Sequence, residues 1–282
     1  MYGDDTQLYR SSDITEVNSL IESTKNCIVD VSAWMKSNKL KLNEDKTEIL
    51  VVGTPIKVKM VGNQSIDLSG ETVAISSVVR NLGVQLNAHL SIDNHVSYLR
   101  KVCYLELRRI SQIRQYLTEE ASNKLVCSFI LSRLDYCNSL LAGAPDIQLT
   151  KLQQIQNNAA RLIKKVSKKE HITPILNELH WLPVRRRVNY KIASIAFQCQ
   201  NDEQFPTYLR NLVKPYTPAR YLRSQNSTTL IKPKTKLKTY GQRALTYQSA
   251  DIWNNLPNSI QNAVSLECFK AKLKTYLFSS QC

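Results

Sequence analysis

Apolar residues are spaced in two different ways on either side of residue 90. Before it, a stretch with a helical period is followed by short runs of alternating apolar and polar residues, as in strands and hairpins. After it, apolar residues recur at every third or fourth position almost throughout, as on the buried face of a helix. The spacing therefore predicts an α+β protein whose small strand-containing part precedes a mainly helical one.

The first ninety residues are predicted to form a helix, hairpins and short antiparallel strands. Asp13 and Glu16 have the spacing of a capping box, and the apolar positions behind them predict a helix that ends near Asn38. Trp34 falls on the apolar face of this helix, so we expect its ring to lie in a core rather than to stack on a base. Extended segments are predicted at residues 48–52, 57–60 and 66–75, and a strand or hairpin at residues 80–86.

Helices are predicted for most of the second part. The first has an apolar face through residues 92–117, and the second follows Thr118, a favoured N-cap residue. A third helix follows Pro145, and a fourth begins at Pro183, whose fixed φ suits the first turn of a helix. A last amphipathic segment covers residues 250–278.

The charge of the chain is strongly positive. Its 38 Lys and Arg residues outnumber its 23 Asp and Glu residues and leave a formal net charge of +15. Such an excess favours an anionic partner, either nucleic acid or a membrane surface. Residues 204–250 contain no acidic residue, and lysine alternates with other residues at 232–238, so an extended basic arm is predicted there.

The sequence also bears on the cellular compartment. No apolar run is long enough to cross a bilayer, and no secretory signal is recognisable. The seven cysteines form no C-x-x-C pair, which argues against a disulfide scaffold or a zinc module. We therefore expect an intracellular protein, in the nucleus or cytoplasm, that is neither secreted nor attached to a membrane.

Two adjacent carboxylates, Asp4 and Asp5, stand in the opening stretch MYGDDTQLY. Gly3 and Asp4 have the backbone tolerance of a tight turn, so a solvated hairpin tip is one interpretation. The other is a platform for divalent cations, since hard oxygen ligands suit Mg²⁺. These residues by themselves leave both interpretations open.

Six stretches occur in a specific order: YGDDTQLY, WMKSNKLKLNEDKTEIL, RNLGVQL, SRLDYCNSLLAG, HWLPVRRRVNYK and WNNLPNSIQNAVSLECFKAKLKTYLF. Together they resemble the carboxy-terminal half of a LINE-type, non-LTR retrotransposon reverse transcriptase of the jockey and chicken-repeat-like lineages. The resemblance covers almost the whole chain. Tyr-x-Asp-Asp alone occurs by chance, so the order and spacing of all six carry the resemblance.

The resemblance implies three regions and a catalytic role for the acidic pair. It implies a partial polymerase palm over residues 1–90, a helical thumb over residues 91–170 and a basic C-terminal region over residues 171–282. Asp4 and Asp5 would bind Mg²⁺, or Mn²⁺ in its place, and Lys46 would neutralise or protonate pyrophosphate. A solvated turn lysine is the alternative interpretation of Lys46.

The family's fingers and first catalytic aspartate are expected upstream of the Tyr-x-Asp-Asp turn and are missing from this chain. We therefore expect an amino-terminally truncated protein that begins at an internal methionine of a longer ancestor. The cations would bind only where the missing aspartate is supplied, because carboxylates from two neighbouring strands must bracket them.

The resemblance also implies that the partners are an RNA template and an RNA–DNA or DNA duplex. Leu82 and Gly83 correspond to the hairpin that grips the primer end. Basic side chains of the thumb and arm would face phosphates: Lys164, Lys165, Lys168, Lys169, Arg185, Arg186, Arg187, Lys232, Lys234, Lys236 and Lys238. For any single cluster, a solvated charged face is the alternative interpretation.

Two functions follow from these residues, and the sequence leaves both open. One is a truncated RNA-directed DNA polymerase that is inactive alone. The other is a stand-alone nucleic-acid-binding module built from the thumb and C-terminal region. A pseudogene translation with no settled role is a third alternative.

Overall fold

The computed structural model describes residues 6–43, 46–62, 65–68, 71–217 and 229–279. The chain divides into two compact units, Met1–His95 and Val96–Cys282. Helices dominate, and the described strands form two separate two-stranded antiparallel sheets. A mixed helix-and-sheet protein is thus confirmed, whereas the palm, the thumb and the boundaries at residues 90 and 170 stay predictions.

The first unit contains a long helix, a short helix and two hairpins. Its helices are α1 (Val17–Ser37), which follows the 3₁₀ turn Ile14–Glu16, and α2 (Pro55–Val61). Its strands are β1 (Ser65–Leu68), β2 (Glu71–Ala74), β3 (Val78–Asn81) and β4 (Val84–Asn87). The strand β1 pairs with β2, and β3 pairs with β4.

Two predicted strands of this unit are wrong. Residues 57–60 lie in α2, because the Thr54 side chain accepts a hydrogen bond from the Lys57 amide at 3.4 Å and Pro55 begins the helix. Residues 48–52 contribute only one bridge residue, Ile49, which pairs with Ile75. The Thr54 cap and Pro55 therefore favour a helix here, although the alternation of apolar and polar residues at 57–60 predicted a strand.

The predicted burial of Trp34 is also wrong. The helix ends where expected, at Ser37, but Ser32 is the one buried residue of α1. Trp34 is 61% exposed and Val29 is 50% exposed. Asp13 makes no side-chain cap bond, so the capping box does not form. The helical period of α1 was predicted correctly, but β1 covers its apolar face only partly, so that residues such as Leu20, Ile28 and Val31 are half-buried.

The second unit is built of helices. They are α3 (Asp93–Ile113, which starts in the first unit), α4 (Glu119–Val126), α5 (Ser132–Asp135), α6 (Asp146–Lys164), α7 (Ile172–Glu178), α8 (Val184–Asn201), α9 (Thr207–Leu212), α10 (Leu245–Asn254), α11 (Asn258–Gln261) and α12 (Leu266–Ser279). A π-helical turn, Cys127–Leu131, joins α4 to α5. The predicted cap is confirmed, since the Thr118 hydroxyl accepts from the Ala121 amide at 3.1 Å.

An aromatic core joins α8, α10 and α12. The rings of Phe197 and Phe269 stack with centroids 4.4 Å apart, and Trp253 lies 5.8 Å from Phe269 and 6.4 Å from Phe197. Phe269 is fully buried and Trp253 is 1% exposed. The predicted amphipathic segment at residues 250–278 is therefore confirmed as helical, and two of its helices, α10 and α12, place Trp253 and Phe269 in this core.

Candidate nucleic-acid interface

The predicted cation site lies outside the described residues, because Asp4 and Asp5 are in the segment 1–5. Within the described ranges, no group of three or more His, Cys, Asp or Glu residues is arranged to hold a metal ion. The interpretation of the acidic pair as a Mg²⁺ or Mn²⁺ platform therefore stays a prediction from the sequence.

Lys46 is exposed at the end of a turn. Its amide donates to the Asn43 carbonyl at 3.3 Å, and the Thr47 hydroxyl donates to the same carbonyl at 3.0 Å. These contacts fix the backbone and leave the lysine side chain in solvent. Such a position suits a solvated turn lysine and equally leaves the ammonium accessible to a phosphate.

Leu82 and Gly83 form the two-residue loop between β3 and β4, where Asn81 pairs with Val84. Their φ angles are +45° and +84°, and positive values at both positions are typical of a type I′ hairpin turn. The hairpin predicted at residues 80–86 is therefore confirmed. Leu82 is 42% exposed at its tip, while its contact with a primer stays a prediction.

Lys164 joins three helices through two carboxylates. Its Nζ lies 2.5 Å from Glu119 Oε1 on α4 and also contacts the carboxylate of Glu178 on α7. These hydrogen bonds raise the pKa of Lys164, and only 14% of its side chain is exposed. Its charge is already neutralised by the fold, so Lys164 contributes little to an anion-binding surface.

The next three lysines have different surroundings. Lys165 ends α6 with a φ of +54°, and Lys168 and Lys169 lie in the turn that follows. Glu170 stabilises this turn by accepting from the Ser167 amide at 3.1 Å. All three lysines are exposed, and none has a carboxylate at ion-pair distance in the part of the chain that the structure describes. We call Lys165, Lys168 and Lys169 the helix-end cluster.

The arginines that begin α8 are mostly engaged with the protein. Arg185 pairs with Asp146. Arg187 donates from Nη1 to Asp135 Oδ2 at 2.5 Å and from Nε to the Leu182 carbonyl at 2.9 Å. Its side chain is 17% exposed, so Arg187 supports the turn before α8. Arg186 is half-buried on the same turn.

Two glutamines fix the start of α8 and were missed in the sequence. Gln156 is fully buried and donates to the Leu182 carbonyl at 2.9 Å. Gln153 accepts from the Val184 amide at 2.8 Å and donates to Gln156 Oε1 at 2.9 Å. The only signal for them was two polar residues, three apart, beside the apolar face of α6.

Residues 229–240, which we call the lysine segment, are anchored to the second unit at their start. Leu230 is buried, and both of its backbone groups bond to the Asn254 side chain, at 2.8 and 3.0 Å. The Thr229 carbonyl accepts from the Tyr216 amide at 2.8 Å. The predicted basic arm is therefore fixed to the helical core through backbone hydrogen bonds.

The four lysines of this segment fall into two kinds. Lys232 lies 2.5 Å from Asp251 Oδ1 and 4.6 Å from the centroid of the Tyr247 ring, and hydrogen bonding to Asp251 raises the pKa of Lys232. Lys234, Lys236 and Lys238 are exposed, and no described carboxylate pairs with them. Lys232 therefore anchors the segment, and the other three present unbalanced charge.

A cleft of about 610 Å³ in the second unit contains none of the predicted residues. Arg210, Gln261 and Cys199 are among its lining residues. Burial raises the pKa of Cys199, and burial also raises the pKa of Cys103 to about 11. Both therefore remain neutral thiols near pH 7 and are unsuited to act as nucleophiles.

The sequence resemblance is the sole basis for a family assignment. Comparisons with protein-family models, with curated proteins and with solved structures find no match to this chain. Among the described residues, each helix is too short or too polar to span a membrane. Of the predicted basic residues, six lysines are exposed and have no carboxylate partner among the residues that the structure describes.

Proposed function

We propose that the second unit binds nucleic acid through backbone phosphates, as a module derived from the thumb and C-terminal region of a non-LTR retrotransposon reverse transcriptase. The observation that carries this proposal is the division of the predicted basic residues into two groups. Lys164, Arg185, Arg187 and Lys232 are neutralised by carboxylates of the fold. The helix-end cluster and Lys234, Lys236 and Lys238 are exposed and have no described carboxylate partner.

The second group is suited to phosphates for an electrostatic reason. Each lysine that contacts a phosphate displaces condensed counterions from the nucleic acid, which favours binding at low salt. An already paired lysine gains much less, because it must give up its carboxylate first. The net charge of +15 adds a long-range attraction between the protein and the negatively charged nucleic acid.

The proposal predicts that affinity for a 20-base-pair RNA–DNA duplex falls steeply with salt and depends on the helix-end cluster. Changing Lys165, Lys168 and Lys169 to Gln in the full chain should reduce the slope of log K against log salt by about 3. At 100 mM salt, the dissociation constant should rise roughly tenfold or more. Fluorescence anisotropy of a labelled duplex between 50 and 300 mM salt measures both quantities.

A matched control removes the same charge from paired residues. Lys25, Arg109 and Lys124 are each ion-paired to a glutamate three or four residues away, so their triple change to Gln should leave the slope nearly unaltered. The proposal is wrong if wild type shows no binding, if its binding ignores salt, or if the control variant loses as much affinity as the cluster variant.

The six motifs support a second statement, that the parent of this module was an RNA-directed DNA polymerase. When bound to Asp4, Asp5 and a third aspartate, Mg²⁺ or Mn²⁺ would lower the pKa of a primer hydroxyl and stabilise leaving pyrophosphate. Without that third aspartate, Asp4 and Asp5 should bind either cation only weakly.

We accordingly expect the chain to be inactive as a polymerase when alone. With an RNA template, a primer and either cation, primer extension should not exceed that of the double variant Asp4→Ala/Asp5→Ala. Extension by the wild type that disappears in the double variant would contradict this expectation and establish a competent catalytic site.

A further inference from the structure

We propose that the lysine segment binds one strand of unpaired nucleic acid along its sugar–phosphate backbone, with a base stacked on Tyr216. This inference rests on the proposed nucleic-acid function and specifies the form of ligand that the segment takes. Three observations on the described residues carry it: the alternation of exposure, the fixed backbone and one exposed aromatic ring.

Exposure alternates along the centre of the segment. Pro233 and Thr235 are half-buried, whereas Lys234 and Lys236 are exposed. Alternation with a period of two places the exposed side chains on one side of an extended backbone. Residues two apart in such a backbone are separated by about 6.6 Å, which is close to the spacing of successive phosphates in one extended strand. Lys234 and Lys236 therefore match two successive phosphates of such a strand, and Lys238 lies in the turn that follows them.

The backbone of the segment is held before any ligand arrives. At one end, Asn254 binds both backbone groups of Leu230, and Lys232 is fixed by Asp251. Towards the other end, Gly241 packs so closely that a Cβ there would lie 2.7 Å from the Thr235 Cβ. A segment ordered in advance loses less conformational entropy when it binds.

Tyr216 provides an aromatic surface next to the start of the segment. Its ring is 53% exposed, and its amide bonds to the Thr229 carbonyl at 2.8 Å, so it lies beside the start of the segment. Stacking of bases on aromatic rings combined with a basic track is how many proteins bind single strands without sequence preference. Bases in a duplex are already stacked on each other, so the ring favours unpaired nucleotides.

The test compares labelled single-stranded oligo(U), 20 nucleotides long, with a 20-base-pair RNA–DNA duplex on the full chain at 100 mM salt. Changing Lys234, Lys236 and Lys238 to Gln should weaken oligo(U) binding roughly tenfold or more and reduce its salt slope by about 2. Duplex binding should change by less than about twofold. The variant of the helix-end cluster is the reciprocal control and should affect the duplex more than oligo(U).

Three further variants separate stacking and positioning from charge. Tyr216→Ala should weaken oligo(U) binding about tenfold with an unchanged salt slope, while Tyr216→Phe keeps the ring and should bind as wild type. Gly241→Ala leaves every charge in place but displaces Thr235, so it should weaken oligo(U) binding and spare the duplex. The melting temperature by circular dichroism verifies that each variant is folded.

The outcomes distinguish this inference from the proposed function. If wild type binds neither ligand, both fail. If it binds the duplex through the helix-end cluster while the lysine-segment variant binds oligo(U) as wild type does, only this inference fails. It also fails if that variant loses duplex and oligo(U) affinity equally, which would make the segment a general phosphate contact.

Discussion

Changing Trp253 to Ala should lower the free energy of unfolding of the second unit by about 3–5 kcal/mol. The indole is 1% exposed and lies against Phe197 and Phe269, which belong to α8 and α12. Its removal loses the transfer free energy of a large ring and leaves a cavity that three helices must share. Urea denaturation followed by far-ultraviolet circular dichroism measures the loss.

Two exposed aromatic residues provide controls for this prediction. Trp34→Ala is the same chemical change at a residue that is 61% exposed, and Phe129→Ala removes a 42% exposed ring within the second unit. The free energy of unfolding should change by less than about 0.5 kcal/mol in Trp34→Ala and by less than about 1 kcal/mol in Phe129→Ala. Equal losses at Trp34 and Trp253 would show that the aromatic core described here does not hold the second unit together.

The contrast between these tryptophans shows what the hydrophobic period can predict. Trp34 stood on the apolar face of a predicted helix and Trp253 in a predicted amphipathic segment, and both residues lie in helices of the structure. The period identifies which side chains share a face, but burial also needs another element to cover that face. For Trp253 the covering residues come from α8 and α12, whereas the described first unit buries only Ser32 of α1. Long-range packing of this kind is not encoded in local spacing.

The candidate interface was predictable to the same degree. The clusters of basic residues were visible in the sequence, but their partners were not. Lys164 and Lys165 are neighbours, yet Lys164 is paired to Glu119 and Glu178, which are 45 and 14 residues away, and Lys165 is exposed. Only the fold separates a lysine that joins helices from one that is available to a phosphate.

Arg114 is the residue that the sequence gave least reason to expect in the interior. It is 7% exposed and continues the buried face of α3. Its guanidinium donates to the carbonyls of Leu162 at 2.9 Å, Ile163 at 2.5 Å and Leu117 at 2.8 Å. The first two belong to the last turn of α6, whose carbonyls lack partners within the helix and form the negative end of its dipole. The guanidinium therefore supplies hydrogen-bond donors to these carbonyls and places a positive charge at the negative end of the dipole.

Arg114→Met should therefore lower the free energy of unfolding by about 3 kcal/mol, since it leaves buried carbonyls without donors. Arg114→Lys keeps the charge but has no planar fork to reach all three carbonyls, so an intermediate loss is expected. Arg109→Met on the exposed side of α3 is the matched control and should cost less than about 0.5 kcal/mol. Urea denaturation measures all three variants, and a fully stable Arg114→Met protein would contradict the capping role.

Because the helix-end cluster starts where α6 ends, loss of this cap should also weaken duplex binding without removing any lysine. This effect would link the stability of one helix end to the proposed interface.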